Sequence, residues 1–278
     1  MSDLLAKTKE ICRIFDIRPA HSKGQNFLID SQVYDDLIAA ADLKITDTVL
    51  EVGPGLGFLT AKLAAQAKKV VAVELDDKLA AYLKTGLAAQ KIDNTEVINA
   101  DILKFNPDRF AGESYKIVAN LPYNITSFFL RQFLGGAHQP ATLILMLQKE
   151  VAERIVARPP DMSLLAVSVQ YYAAAEIVRE VKAGNFWPEP EVDSAIIKIV
   201  LTGKSDPALD KRFFQLLRIG FSAKRKMLKN NLSAGFKINS ETAASWLEKA
   251  GLDPKIRAEA LSVSDWRKLF ATEREFVL

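Results

Sequence analysis

The 278-residue sequence predicts an α/β protein. A mostly parallel seven-stranded sheet, covered by helices on both faces, is expected over residues 1–202, and a small all-α domain over 203–278. Three observations carry this expectation. Short apolar, β-branched runs alternate with amphipathic stretches through most of the chain, as in a parallel sheet with crossover helices. The polar stretch Leu201-Thr-Gly-Lys-Ser-Asp-Pro207, with its Gly and Pro, then interrupts the pattern. Beyond it the periodicity is helical to the end.

In chain order, Thr48–Val52, Val70–Glu74, Glu96–Asn99, Lys116–Asn120 and Thr142–Leu147 read as strands. Between them Leu56–Ala67, Asp76–Ala89 and Ser127–Leu134 have helical spacing, and Gln148–Ala157 and Ser163–Tyr172 continue as helices. Ile177–Val181 and Ala195–Leu201 complete the seven, an antiparallel pair at one sheet edge joined by the Pro-rich loop Asn185–Asp193. In the tail, Phe213, Leu216, Leu217 and Gly220-Phe221 form one apolar face, followed by Met227–Leu232, Trp246–Leu247 and Trp266–Phe270. Asp253-Pro254 and Ser264-Asp265 resemble helix starts.

Composition excludes several classes. No segment approaches the ~18 uninterrupted apolar residues of a membrane span. Met1–Arg18 is charged throughout and lacks the apolar core of a secretory signal. A lone cysteine, Cys12, forms no internal disulfide and reads as a small apolar residue of an N-terminal helix. With two histidines, His21 and His138, and neither beside a catalytic partner, there is no Cys/His cluster for a metal. A cytoplasmic, metal-free protein is expected, and nothing in the sequence demands more than a monomer.

Glu51-Val-Gly-Pro-Gly-Leu-Gly57 runs from a strand into a glycine-rich turn and a helix. Its Gly53-x-Gly55-x-Gly57 spacing is one residue short of the dinucleotide fingerprint, which disfavours a nicotinamide dehydrogenase. Alone, such a loop is also an ordinary tight turn. Glu74 closes the next strand, where a carboxylate can accept both hydroxyls of a ribose, and Asp101 follows the third strand, placed for an adenine amine. Either carboxylate by itself reads equally as a loop cap. In a doubly wound sheet the three strand ends converge on one crevice, so together they point to a nucleoside site.

Ile117-Val-Ala-Asn-Leu-Pro-Tyr-Asn124 is the most informative segment. Pro122 biases Leu121 away from helix and turns its carbonyl out of the ladder. The Asn120 side-chain oxygen and the Leu121 carbonyl then offer two acceptors beside the Tyr123 ring. That set suits the N6 amine of adenine, whose delocalised lone pair makes it a poor nucleophile until both N–H groups are held. Phe186-Trp-Pro-Glu-Pro-Glu-Val-Asp-Ser194 places two aromatics on a Pro-stiffened loop able to cover the base, with Trp187 open to either a lid or a core reading.

Charge is distributed unevenly. Residues 1–202 hold 22 Lys/Arg against 25 Asp/Glu, whereas 203–278 hold 15 against 9. Lys211–Lys237 contains eight basic residues and no acidic one. A charge run is commonly a solvated face, but beside an adenine-modifying site it suggests a polyanionic partner.

On these motifs the chain resembles the bacterial small-subunit ribosomal RNA adenine dimethyltransferases, the kasugamycin-sensitivity type, over essentially its whole length. The segments that carry the likeness are Gly24-Gln-Asn-Phe-Leu28, Glu51–Gly57, Asn120-Leu-Pro-Tyr123, Phe186–Ser194 and Phe221-x-x-Lys-Arg-Lys-x-Leu-x-Asn-x-Leu232. The resemblance implies a Rossmann-like methyltransferase domain that uses S-adenosylmethionine and no metal. It implies Gln25, Asn26, Leu28, Gly53, Gly55, Glu74, Leu75, Asp101, Ile102 and Asn120 as cofactor contacts. Asn120, Leu121, Tyr123 and Phe186 would be the catalytic, target-base residues, with Phe186 facing Tyr123 across the adenine.

Further implications are dimethylation of two adjacent adenines in a hairpin loop near the 3′ end of 16S ribosomal RNA, within a 30S precursor. Arg218, Lys224, Arg225, Lys226 and Lys229, on or around one basic helix, would bind the RNA. Two positions depart from the family pattern. Lys224 stands where arginine is usual and loses the planar fork, and Glu191 stands where a basic residue is common. The rivals are a 23S ribosomal RNA adenine methyltransferase of the macrolide-resistance type and a non-catalytic RNA-binding relative on the same fold. Leu121, Pro54 and the basic tail argue against the first; an intact Asn120–Tyr123 motif argues against the second.

Overall fold

The computed structural model describes residues 3–19, 25–203 and 206–277. His21 and Gly24 lie outside the described residues. The strands are β1 (Phe27–Leu28), β2 (Thr48–Val52), β3 (Lys69–Glu74), β4 (Thr95–Asn99), β5 (Tyr115–Asn120), β6 (Thr142–Gln148), β7 (Ala173–Val181), β8 (Phe186–Trp187) and β9 (Ser194–Leu201). The helices are α1 (Asp3–Ile14), α2 (Ser31–Ala41), α3 (Phe58–Ala64), α4 (Asp77–Ala89), α5 (Thr126–Leu134), α6 (Lys149–Val156), α7 (Leu164–Gln170), α8 (Pro207–Gly220), α9 (Leu228–Phe236), α10 (Ser240–Lys249) and α11 (Val263–Ala271). Among the described residues no helix is long and apolar enough to cross a membrane.

The main sheet has seven strands in the order β4-β3-β2-β5-β6-β9-β7. The pairs from β4 through β6 are parallel, and β9 runs antiparallel to β6. The expected pair of late strands is thus present at one edge, with β9 inserted against β6 and β7 outermost. β2 is buried along its whole length, consistent with a strand covered on both faces. Two strands were not expected. β1 and β8 form a separate antiparallel pair, Phe27 opposite Trp187 and Leu28 opposite Phe186. The aromatics read as loop residues therefore belong to a strand.

Contacts divide the chain into two units, residues 1–152 with 174–201, and 153–173 with 202–278. The expected division at 202/203 needs one amendment: 153–173 groups with the helical tail. The reason is chemical. Tyr171 and Tyr172 both donate to the buried carboxylate of Asp210 on α8, at 3.0 and 2.8 Å. The Tyr171 ring stacks on Phe213 at 4.3 Å.

The core of the second unit gathers Met162, Val167, Phe213, Leu217, Leu232, Trp246, Leu247, Trp266 and Leu269. Trp246 is fully buried, and its indole N–H donates to the Leu269 carbonyl at 3.0 Å. Gly220 is required by close approach, since a Cβ there would stand 2.3 Å from the Trp266 ring. Helix α11 is capped by Ser262, in a reciprocal capping box with Asp265, two residues before the cap expected at Ser264.

Candidate functional site

The parallel register sets the site. Val52 lies opposite both Val73 and Ala119, and Glu74 opposite Asn99, so β2, β3, β4 and β5 end level with one another. These strand ends lead into the glycine loop, Leu75, Asp101 and the Asn120–Tyr123 turn. Gly53, Gly55 and Gly57 all have positive φ, at 65°, 55° and 80°. This conformation is open to glycine and strained for other residues. A Cβ on Gly57 would also stand 2.4 Å from Leu83 Cδ1. Gly53 and Gly55 line the cleft, while Gly57 is buried against Leu83.

All ten residues expected to contact the cofactor line this one cleft: Gln25, Asn26, Leu28, Gly53, Gly55, Glu74, Leu75, Asp101, Ile102 and Asn120. The buried Glu74 carboxylate is engaged twice, accepting from the amide of Gly55 at 3.1 Å and of Asp76 at 2.9 Å. Burial pushes its pKa up, and these backbone donors oppose the shift. Asp101 caps the short 3₁₀ turn Ile102–Lys104 by accepting from Leu103 N–H at 2.9 Å. The cap reading holds for it, and the same residue lines the cleft. Asn99 ties two strand ends by donating to the Glu74 carbonyl at 3.0 Å.

Tyr34 and Glu51 are among the lining residues not expected from the sequence. Tyr34, on α2, donates its hydroxyl to the Leu28 carbonyl at 3.0 Å and so holds the entering chain against the cleft. Glu51, on β2, is 1% exposed, and neither carboxyl oxygen has a hydrogen-bond partner among the described residues. Burial pushes its pKa up to about 8, tempered by the nearby Thr60 hydroxyl and reinforced by the charge of Glu74. Nothing in the local sequence distinguishes such a carboxyl from any strand residue before a glycine loop.

These residues fit S-adenosylmethionine. Glu74 and Asp101 keep acceptor capacity for a ribose and an amine, and Leu75 and Ile102 present apolar surface. The unpartnered Glu51 carboxyl lies in a cleft that would receive a molecule carrying an ammonium and a sulfonium. Among the described residues no group of three His, Cys, Asp or Glu side chains is arranged to hold a metal ion.

The target-base residues divide. Asn120 lines the cleft, and its Nδ2 points to the Asn26 carbonyl at 3.5 Å, which leaves Oδ1 as the acceptor. The Leu121 amide donates to the Met146 carbonyl at 3.2 Å, and among the described residues no donor reaches the Leu121 carbonyl. Tyr123 pairs its hydroxyl with Ser194 Oγ at 2.9 Å, and burial raises its pKa. Phe186 is 3% exposed, in a core cluster with Leu28, Tyr34, Val181 and Ile196, and is not among the residues that line the cleft. Pairing with β1 draws it inward. Trp187 is half-buried against the cluster of Ile11, Cys12 and Phe27, with the Lys9 ammonium 5.7 Å above its ring.

In the second unit, the basic helix becomes a basic turn. Arg218 is in the last turn of α8, Lys224, Arg225 and Lys226 lie in the bend between α8 and α9, and Lys229 opens α9. The bend is pinned from inside: the buried Asn231 amide donates to the carbonyls of Gly220, at 2.6 Å, and Ala223, at 3.3 Å. The unit's ion pairs among the described residues join Arg212 to Glu273, Lys249 to Glu275, Arg257 to Glu259 and Lys268 to Asp265. None involves the five cations. Lys224, Arg225 and Lys226 are all exposed.

Comparison with known proteins shows which family and fold the chain resembles. The family model for ribosomal RNA adenine dimethylase matches residues 18–274. A protein of Dehalococcoides mccartyi strain CBDB1 named ribosomal RNA small subunit methyltransferase A is 46% identical over 270 residues, covering 96% of this chain and 92% of its own. A protein of the same name from Clostridium botulinum strain Langeland is 40% identical, covering 94% and 96%. Among solved structures, a dimethyladenosine transferase from Plasmodium falciparum superposes with a TM-score of 0.76 at 28% identity, over 90% of this chain and 98% of that one. The 23S rRNA methyltransferase ErmE superposes with a TM-score of 0.72 at 28% identity, over 88% and 98%.

Proposed function

The chain belongs to the ribosomal RNA adenine dimethylase family, and on that premise we propose that it dimethylates the N6 amines of two adjacent adenines near the 3′ end of 16S ribosomal RNA. The methyl donor is S-adenosylmethionine, and the substrate is a 30S precursor. The observation that carries the reading is the position of Asn120, which ends a central strand on the same cleft as the glycine loop, Glu74 and Asp101.

When bound, S-adenosylmethionine supplies a methyl group already activated by its sulfonium. What the chain adds is orientation. The N6 lone pair is delocalised into the purine ring, and it becomes available as both N–H groups are held by acceptors. Asn120 Oδ1 and the Leu121 carbonyl are those acceptors, fixed by the Asn26 contact and by the pairing of Leu121 with Met146. A preorganised pair of this kind acts through proximity and alignment. Tyr123, tied to Ser194, supplies the aromatic surface beside them. The basic turn supplies phosphate-binding charge.

The choice of the small subunit follows the names of the curated relatives, while the fold is shared with a 23S enzyme. Purified protein with radiolabelled S-adenosylmethionine is expected to label two neighbouring adenines in undermethylated 30S particles. Label found on 23S RNA alone would replace this reading with the macrolide-resistance one.

A further inference from the structure

The most exposed large aromatic among the described residues is Phe128, at 68% exposure. It lies on α5, which begins directly after the turn that carries Asn120 and Tyr123. The helix is firmly seated. Phe129 and Phe133 are fully buried, and Gln132 donates to the carbonyls of Phe105 at 2.9 Å and Ile102 at 3.4 Å. Phe128 is therefore exposed because a fixed helix points it outward. Among the described residues its ring meets no other ring. Phe15, also exposed, does meet one, Tyr82 at 4.7 Å.

Exposed residues follow one face away from the cleft: Asn124, which lines it, then Ser127 and Phe128, then Arg131. Asn124 lies in the turn before α5, and within the helix Ser127 and Phe128 stand about one turn, roughly 5.4 Å, from Arg131. Arg131 has no carboxylate partner among the described residues. Beyond the turn that carries the acceptor pair, an aromatic face and a cation thus follow one another along α5. Base stacking on an exposed ring tolerates any base, and the guanidinium suits a phosphate.

We infer that Phe128 and Arg131 form a second nucleotide subsite, which stacks the base next to the target adenine and pairs with its phosphate. The inference rests on the function proposed above and adds how one of two adjacent adenines is parked while the other occupies the cleft. An apolar protein partner would use the same ring differently, needing bulk rather than a flat π-face.

The test compares Phe128→Ala, Phe128→Trp and Phe128→Leu with the wild type on undermethylated 30S particles, with S-adenosylhomocysteine binding measured by calorimetry. In Phe128→Ala, KM for the particle should rise about tenfold, the worth of one stacked base. The kcat, cofactor affinity and melting temperature should stay at the wild-type level. Phe128→Trp should restore KM and Phe128→Leu should not. Wild-type KM in Phe128→Ala, or rescue by Leu equal to that by Trp, overturns the subsite. A wild type that labels no 30S adenine overturns the functional reading itself, a separate result from an active enzyme indifferent to position 128.

Discussion

The Tyr123 hydroxyl and the Ser194 hydroxyl lie 2.9 Å apart, with Ser194 fully buried. This bond ties the turn after β5 to the first residue of β9, where the Pro-rich loop ends. Ser194→Ala leaves Tyr123 without its tether at a cost near that of one neutral hydrogen bond. Single-turnover methylation should slow about three- to tenfold, while calorimetry shows unchanged cofactor affinity. An unaltered rate would mean that Tyr123 is held by packing alone.

Removing the Asn120 amide deletes one of two acceptors. Asn120→Ala should lower methyl transfer by about a hundredfold or more, by analogy with the loss of one preorganised polar group from an active site. Cofactor binding should be weakened but retained, since the nine other residues expected to contact the cofactor line the same cleft. Full turnover in this variant would remove the amine-positioning argument.

Glu51 makes stability depend on pH. Its folded pKa is about 8 against an ordinary 4.5, so the native state holds a proton that the unfolded state has released. The stabilisation is complete below about pH 4.5 and is lost as pH rises through about 8. Denaturant titrations of the cofactor-free protein at pH 5, 7 and 9 should show the wild type losing stability relative to Glu51→Gln, by up to about 1.4 kcal/mol per pH unit. Parallel stability curves would place the Glu51 pKa near its usual value.

Charge reversal in the basic turn should act through salt. Arg225→Glu combined with Lys226→Glu should weaken 30S binding by about tenfold at low ionic strength and flatten the dependence of log K on log salt. Both side chains are exposed, so the fold should be kept. Unchanged affinity would leave the turn as a solvated surface.

The parallel part of the sheet was legible because buried strands announce themselves by continuous β-branched runs. The glycine loop, Glu74, Asp101 and Asn120 were legible because fold topology sends such strand ends to one place. Features that depend on tertiary pairing were not. β1 and β8 are two residues each, too short for any period, and only their mutual pairing buries Phe186. The resemblance implies one basic helix, yet the chain bends between α8 and α9, where Asn231 donates to the carbonyls of Gly220 and Ala223. Residues 153–173 look like part of the first domain until the buried carboxylate of Asp210 is seen to need both Tyr171 and Tyr172.

Glu74 also bears on redesign of the cofactor site. Because its two oxygens serve the amides of Gly55 and Asp76, position 74 has no isosteric substitute. Gln would set a donor against an N–H, and Asp would fall one methylene short of two loops at once. Any substitution at position 74 is therefore expected to loosen the glycine loop itself. The adjacent Leu75 side chain, 58% exposed on the same cleft, carries no such duty, and under the proposed function it is the position to vary for a bulkier methyl donor.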